Sequence, residues 1–135
     1  MKFAIDTNLI VSATFKLDSP PALVLAAWRT GHIEWVTCTE QLAELEIALR
    51  RPKVLTRVVG GEAFAKRLVD EIYRTCTLKT LTYPLPPVCR DARDDFLFAL
   101  ASQHGVDMII SGDKDVLEQK EIYPVLTARE LIDRL

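Results

Sequence analysis

Five short apolar runs alternate with longer amphipathic stretches in this chain, and this alternation restricts the fold more than any other feature. Parallel strands need crossover connections that are long enough to hold a helix. Runs of this length, separated by helical spacing, therefore predict an α/β fold with a central, mainly parallel sheet that helices cover on both faces. The strand-like runs span residues 2–6, 33–38, 77–81, 107–111 and 123–126.

Capping and breaking residues mark the helices between these runs. Ser19 and Pro20 begin a helix that Gly31 ends, and Thr39 can cap the next helix, which Pro52 terminates. A glycine pair and a later glycine bound two more helices, and a capping-box spacing announces the last one. These three helices are expected at residues 62–73, at residues 92–104 and after residue 127.

The length and composition are those of one ordinary globular domain. A chain of 135 residues can bury a single core, so we expect one domain over residues 1–135. Its 27% charged residues and net charge of −2 are not those of a disordered chain. The net charge does not indicate a particular class of binding partner. Three cysteines without a CxxC pair indicate neither a disulfide framework nor a zinc site. With no signal peptide and no apolar stretch of about 20 residues, we expect a cytoplasmic protein without a membrane segment.

Carboxylates follow two of the strand-like runs at the point where each run ends. Asp6 closes the first run, and Asp113 and Asp115 come shortly after the fourth, which ends at Ser111. In open α/β sheets, ligands bind outside the carboxyl ends of the strands. Either acid alone could be a helix cap or a loop residue. Two matched strand ends instead favour a shared acidic site on one edge of the sheet.

Two further acids lie on predicted helices. In the helix expected at residues 92–104, Asp94 lies at the margin of the apolar stripe, whereas Asp95 points elsewhere, toward Ser102. Favourable interaction with the helix dipole is the alternative role for Asp94. Glu44 has no basic residue three or four positions later, unlike its neighbour Glu46. A partly covered carboxylate without such a partner needs a cation from elsewhere.

With these acids in this order, the chain resembles the PIN-domain family of metal-dependent ribonucleases, and especially the branch of toxins from toxin–antitoxin systems. The resemblance implies a three-layer α/β/α sandwich with an acidic pocket at the carboxyl edge of its sheet. It also implies an RNA substrate, a homodimer and a cognate antitoxin protein. The matching segments are AIDTNLIVSA (4–13), ELEIALRRPKV (44–54), CRDARDDFLFALA (89–101) and DMIISGDKDVL (107–117).

The resemblance also assigns roles to individual residues. A set of carboxylates in one pocket repels itself unless a cation is present, and oxygen ligands favour Mg²⁺ or Mn²⁺. Asp6, Asp94 and Asp113 would coordinate the metal, and Glu44 would coordinate it or orient the attacking water. Asp115 is a further candidate ligand. Thr7, Asn8 and Ser111 would donate hydrogen bonds beside the metal or phosphate, with turn formation as the alternative role.

Basic residues after the Glu44 helix are candidates for contacts with RNA phosphates. Arg50, Arg51 and Lys53 follow one another closely there. The alternative is that these side chains are exposed to solvent and bind nothing. Because no aromatic RNA-binding motif is present, the sequence does not indicate base-specific stacking.

Three other functions are alternatives to the nuclease. A haloacid-dehalogenase-like phosphatase needs a second Asp two residues after the first, where this chain has Asn8. A nucleotide-binding Rossmann protein needs a glycine-rich loop after the first strand, which is missing. A catalytically silent PIN-like module that binds RNA or a protein remains an alternative, because the identity of the acids does not prove turnover.

Overall fold

One five-stranded sheet organises the computed structural model, which describes residues 1–135. Its strands are β1 (Lys2–Ile5), β2 (Glu34–Cys38), β3 (Thr77–Lys79), β4 (Met108–Ile110) and β5 (Val125–Leu126). All neighbouring strands are parallel, in the order β3-β2-β1-β4-β5. The predicted parallel α/β sheet is therefore confirmed, with each strand somewhat shorter than its apolar run.

Eight α-helices connect and cover these strands. They are α1 (Thr7–Ala13), α2 (Pro20–Arg29), α3 (Thr39–Arg50), α4 (Pro52–Leu55), α5 (Gly61–Thr75), α6 (Asp95–His104), α7 (Lys114–Leu117) and α8 (Ala128–Arg134). The sequence pattern did not indicate α1, α4 and α7, because four to seven residues are too few to establish a helical period. None of the helices has both the length and the apolar character that a membrane span requires.

The predicted helix boundaries are correct where side chains cap the helix. Ser19 accepts a hydrogen bond at the start of α2, and Thr127 and Glu130 form a complete capping box at α8. The prediction for α3 is wrong, because Cys38 occupies the cap position without a side-chain bond and Thr39 is already helical. Pro52 also does more than end α3, since it begins α4.

The core lies in two layers, one on each face of the sheet. Successive strand residues alternate between the layers, so Phe3 and Ile5 pack with α1, α2, α3, α5 and α8, while Ala4 packs with α6 and α7. The apolar stripe that helical spacing predicts for α6 consists of Leu97, Leu100, Ala101 and His104. The buried face of this helix is wider, because Phe96 and Phe98 are also buried. Helices on both faces of a parallel sheet confirm the three-layer α/β/α architecture.

The strand order creates a crevice between β1 and β4. From β1 the chain proceeds outward through β2 and β3, and then returns to the other side of β1 to form β4 and β5. Ligands in such sheets bind at this reversal, outside the carboxyl ends of the two central strands. Asp6 directly follows β1, and Ser111 directly follows β4. The fold therefore delivers polar residues from both strands to its most favourable binding position.

Candidate active site

A buried hydrogen bond joins the ends of the two central strands. Ser111 Oγ donates to Asp6 Oδ2 at 2.6 Å, and both residues are almost fully buried. The same Ser111 oxygen accepts the backbone N–H of Asp113 at 3.0 Å. Asp6 also caps α1, where its Oδ1 accepts the N–H of Asn8. The two acids at the strand ends are thus brought together through a serine, and the helix-cap role of Asp6 exists alongside any role in a site.

The segment after β4 orients a second carboxylate. Asp113 caps α7, and its Oδ1 accepts the N–H of Asp115 at 2.8 Å. Both side chains are half-buried. With one oxygen used in the cap, the other oxygen of Asp113 remains available to a ligand. The side chain of Asp115 forms no hydrogen bond or ion pair within the chain.

The two acids before α6 have different surroundings. Asp94 ends a 3-10 turn and is half-buried, whereas Asp95 is only 5% exposed. Asp95 Oδ1 accepts the backbone N–H groups of Val88 at 3.0 Å and Cys89 at 2.8 Å. The prediction that Asp95 points toward Ser102 is wrong, because the α-helix begins only at Asp95 and its side chain turns back to the preceding segment. Asp94 is left as the acid that faces the strand ends.

The pKa of Asp94 is influenced by the charges of the other acids. Burial raises the pKa of Asp94 to about 7, and the negative charges of nearby carboxylates contribute to the rise. The second part of this shift arises from carboxylates that lie close enough to repel the charge of Asp94. The contributing acids are Asp6, Asp113, Asp91 and Glu44.

Glu44 belongs to the same group of charges. It is half-buried on α3. Burial raises its pKa and the charge of Asp6 adds to this, while Arg93 and the Thr7 hydroxyl act in the opposite direction. Burial likewise raises the pKa of Asp6, against the bonds from Ser111 and Asn8. The structure therefore brings Asp6, Glu44, Asp94 and Asp113 into one electrostatically coupled cluster, which we call the acidic cluster.

A buried glutamine supports the end of the strand that precedes the acidic cluster. The sequence pattern did not indicate this residue. Gln41 is completely buried, and its Nε2 donates to the carbonyl oxygen of Ile5 and, at 3.4 Å, to Thr7 Oγ1. Its Oε1 accepts the hydroxyl of Thr37 at 2.6 Å. The pairing of β1 with β2 extends only to Phe3, so the Gln41 side chain supplies the bond that the diverging strand would otherwise lack at Ile5. Nothing in the sequence marks this residue except its position on an otherwise apolar helix face.

The predicted phosphate-binding residues lie away from the acidic cluster. Helix α3 starts at the carboxyl end of β2 and therefore runs away from the edge that carries the acids. Arg50 follows Glu44 by six residues, which is about 9 Å of helix rise, and Arg51 and Lys53 lie beyond it. All three are exposed. None of the three lines the cleft that contains Asp6 and Asp113.

Two other arginines lie beside the acids. Arg93 is paired with Asp91 at 2.8 Å and influences the pKa of Glu44. Arg129, in the first turn of α8, lines a cleft of about 470 Å³ together with Asp6 and Asp113. The adjacency of Arg93 to Asp94 could have been noticed in the sequence, whereas the position of Arg129 depends on how α8 packs. The remaining lining residues of this cleft are Asn8, Leu9, Ser12, Pro21, Gly112, Thr127 and Ala128.

The donor chemistry of the acidic cluster suits a hard divalent cation. Its members are oxygen donors only, and their mutual repulsion would be relieved by positive charge. The structure contains no group of three or more Asp, Glu, His or Cys side chains that is already arranged to hold a metal ion. The cluster therefore fits a divalent cation by ligand type and charge rather than by a completed coordination geometry.

Comparison with known proteins agrees with this fold. Residues 2–115 match the family described as PIN domain. No curated protein and no solved structure matches the chain significantly. PIN domains are generally nucleases, and they usually use divalent metal ions. Because the match covers far more than half of the chain, the protein belongs to the PIN-domain family.

Proposed function

We propose that this protein is an endoribonuclease that requires Mg²⁺ or Mn²⁺ and cuts single-stranded or loop RNA. The observation that carries the proposal is the placement of Asp6 and Asp113 at the crevice of the sheet, where both are bonded to Ser111 and line one cleft. The raised pKa of Asp94, which burial and the charges of nearby carboxylates cause, agrees with this placement. Such a concentration of negative charge is unfavourable for folding and is typical of sites that bind a cation. It is also the chemistry expected of a nuclease fold.

Asp6, Asp94 and Asp113 would hold the metal, with Glu44 as a fourth ligand or as the residue that orients a water. A bound Mg²⁺ or Mn²⁺ would activate a water and stabilise the charge that develops on the scissile phosphate. The Ser111 hydroxyl orients the Asp6 carboxylate, and by donating to the charged form it opposes the rise in the pKa of Asp6 that burial causes. A carboxyl group with a pKa near 7 readily releases its proton when a cation approaches Asp94.

The test is RNA cleavage by the purified protein with Mn²⁺ and with a chelator. We expect cleavage only with the metal, and its loss in Asp6→Asn. Asparagine caps helices as well as aspartate does, so this variant should keep the start of α1. Asp133→Asn, on the exposed surface of α8, is the matched control and should cleave like the unmodified protein. Cleavage that is equal with Mn²⁺ and with the chelator would contradict the proposal, and so would cleavage by the Asp6→Asn variant.

We further propose that the protein is a cytoplasmic toxin that forms a homodimer and pairs with an antitoxin protein. The support is its resemblance to PIN-domain toxins, together with an open groove between α3 and α5 that apolar side chains partly line. Leu49, Leu55, Ala65 and Val69 line this groove beside residues of both charges. Light scattering at micromolar concentration should give twice the mass of the chain. Growth arrest on expression, relieved by the product of an adjacent reading frame, would test the toxin role.

A catalytically silent RNA- or protein-binding module is the second candidate. It is favoured by the lack of three ligating side chains already arranged around one point. RNA binding that persists without any Mn²⁺-dependent cleavage would support this candidate over the enzyme.

A further inference from the structure

One arginine lines the cleft that contains two members of the acidic cluster. Arg129 is exposed in the first turn of α8 and lines the same cleft as Asp6 and Asp113. No ion pair or side-chain hydrogen bond within the chain involves its guanidinium group. An arginine beside two acids that does not pair with either of them is available to an anion from outside.

The neighbouring charged residues do not neutralise Arg129. The adjacent Glu130 is engaged by Lys120 at 3.0 Å and by the backbone N–H of Thr127 at 3.1 Å. The other arginine near the acids, Arg93, is held by Asp91 through several hydrogen bonds. Arg129 is therefore the unpaired positive charge in this cleft.

The position of Arg129 is fixed by the packing of its helix. The complete capping box starts α8 one residue before Ala128. Ala128 and Leu131, on either side of Arg129 in the sequence, are buried in the core that α8 shares with α2. The anchored helix therefore holds the backbone of Arg129 at the cleft, within reach of a ligand bound there.

We infer that Arg129 binds a phosphate of the RNA strand next to the one that is cleaved, so that the strand lies in the cleft between α8 and the acidic cluster. This inference rests on the proposed nuclease function. A guanidinium group recognises phosphate through two parallel hydrogen bonds, and an acidic site otherwise repels a polyanion. The cleft of about 470 Å³ has the volume of a pocket for a molecule of nucleotide size. Asn8, Ser12 and Thr127 add polar groups along its walls.

The experiment measures binding of a fluorescein-labelled, 12-nucleotide single-stranded RNA by fluorescence anisotropy, in Ca²⁺ and at several salt concentrations. Arg129→Gln should raise the Kd about tenfold at low salt. It should also lower the slope of log Kd against log salt by about 0.7, the value for one lost phosphate contact on a single strand. Arg134→Gln, at the exposed far end of the same helix, makes the same change in net charge and should alter the Kd less than about twofold.

Two further variants separate a direct contact from its alternatives. Arg129→Lys keeps the charge and should keep the salt slope, so loss of the slope in this variant would indicate a structural effect and overturn the inference. Arg50→Gln tests the basic segment after α3, and a larger loss there than in Arg129→Gln would place the RNA elsewhere. Equal Kd values for Arg129→Gln and the unmodified protein would also overturn the inference. RNA binding that depends on Arg129 without cleavage in Mn²⁺ would refute the enzyme and leave this binding site supported.

Discussion

Ser111 and Asp6 are 105 residues apart in the chain, yet the serine hydroxyl donates to the aspartate carboxylate at 2.6 Å. The bond forms because β1 and β4 are neighbours and end at the same edge of the sheet. It links the residue that follows one central strand to the residue that follows the other. Asp6, the most buried carboxylate of the chain, is therefore held at the crevice between β1 and β4.

We expect Ser111→Ala to weaken Mn²⁺ binding by roughly 10- to 100-fold, the range for loss of a residue that orients a metal ligand. The variant removes the donor to Asp6 and the acceptor for the N–H of Asp113. Calorimetric titration with Mn²⁺ measures the change. Ser102→Ala is the control, because that exposed hydroxyl bonds only to the carbonyl oxygen of Ala99. An unchanged Kd in Ser111→Ala would show that the hydroxyl does not support the site.

The pKa of about 7 at Asp94 predicts how stability without metal depends on pH. Between about pH 4 and pH 7, the folded protein retains a proton on Asp94 that the unfolded chain has released. The free energy of unfolding therefore falls as the pH rises through this window. Asp94→Asn should remove this contribution, so its melting temperature should exceed that of the unmodified protein at about pH 8 and converge with it near pH 4.

Thermal melts across this pH range, with a chelator or with Mn²⁺, check the prediction. Asp94→Asn should also lose most of the stabilisation that Mn²⁺ gives the unmodified protein, because a ligand is missing. Asp133→Asn should follow the unmodified protein under every condition. If Asp94→Asn kept the full shift with Mn²⁺, Asp94 would not be a ligand.

Gln41→Leu should destabilise the protein by about 1 to 3 kcal/mol, the cost of leaving buried polar groups without partners. The groups affected are the carbonyl oxygen of Ile5 and the hydroxyl of Thr37. Since Ile5 precedes Asp6, cleavage should fall as well. Urea unfolding and RNA cleavage measure the two effects, and Gln119→Leu, whose side chain makes no hydrogen bond, is the control. A variant that is as stable as the unmodified protein would contradict the role given to Gln41.

Asp95→Ala should lower stability by about 2 to 3 kcal/mol, because two backbone N–H groups lose a charged acceptor. In contrast to Asp94→Asn, this variant should keep the stabilisation by Mn²⁺. Paired melts of the two variants distinguish the residue that holds the backbone from the residue that faces the metal. The opposite pattern would exchange the roles of these neighbouring acids.

The sequence predicted the helices and strands best where local signals were strong. Ser19 and the pair Thr127 and Glu130 marked helix starts correctly, because capping is a contact between residues three positions apart. Helical spacing favours Asp94 over Asp95 as the site residue, but this spacing is only part of the physical reason. The helical phase does not extend into the 3-10 turn, and what separates the two acids is the contact of Asp95 with Val88 and Cys89.

The sequence by itself determined the order of strands and helices and the acids that follow the strands, because apolar periodicity, caps and strand ends are local properties. Only the tertiary structure decided that Ser111 reaches Asp6, that Gln41 holds the end of β1, and that Arg129 rather than Arg50 lies beside the acids. These relationships join residues that are distant in the chain. They depend on which strands become neighbours and on the direction in which each helix leaves the sheet, and both follow from packing of the whole core rather than from any local pattern.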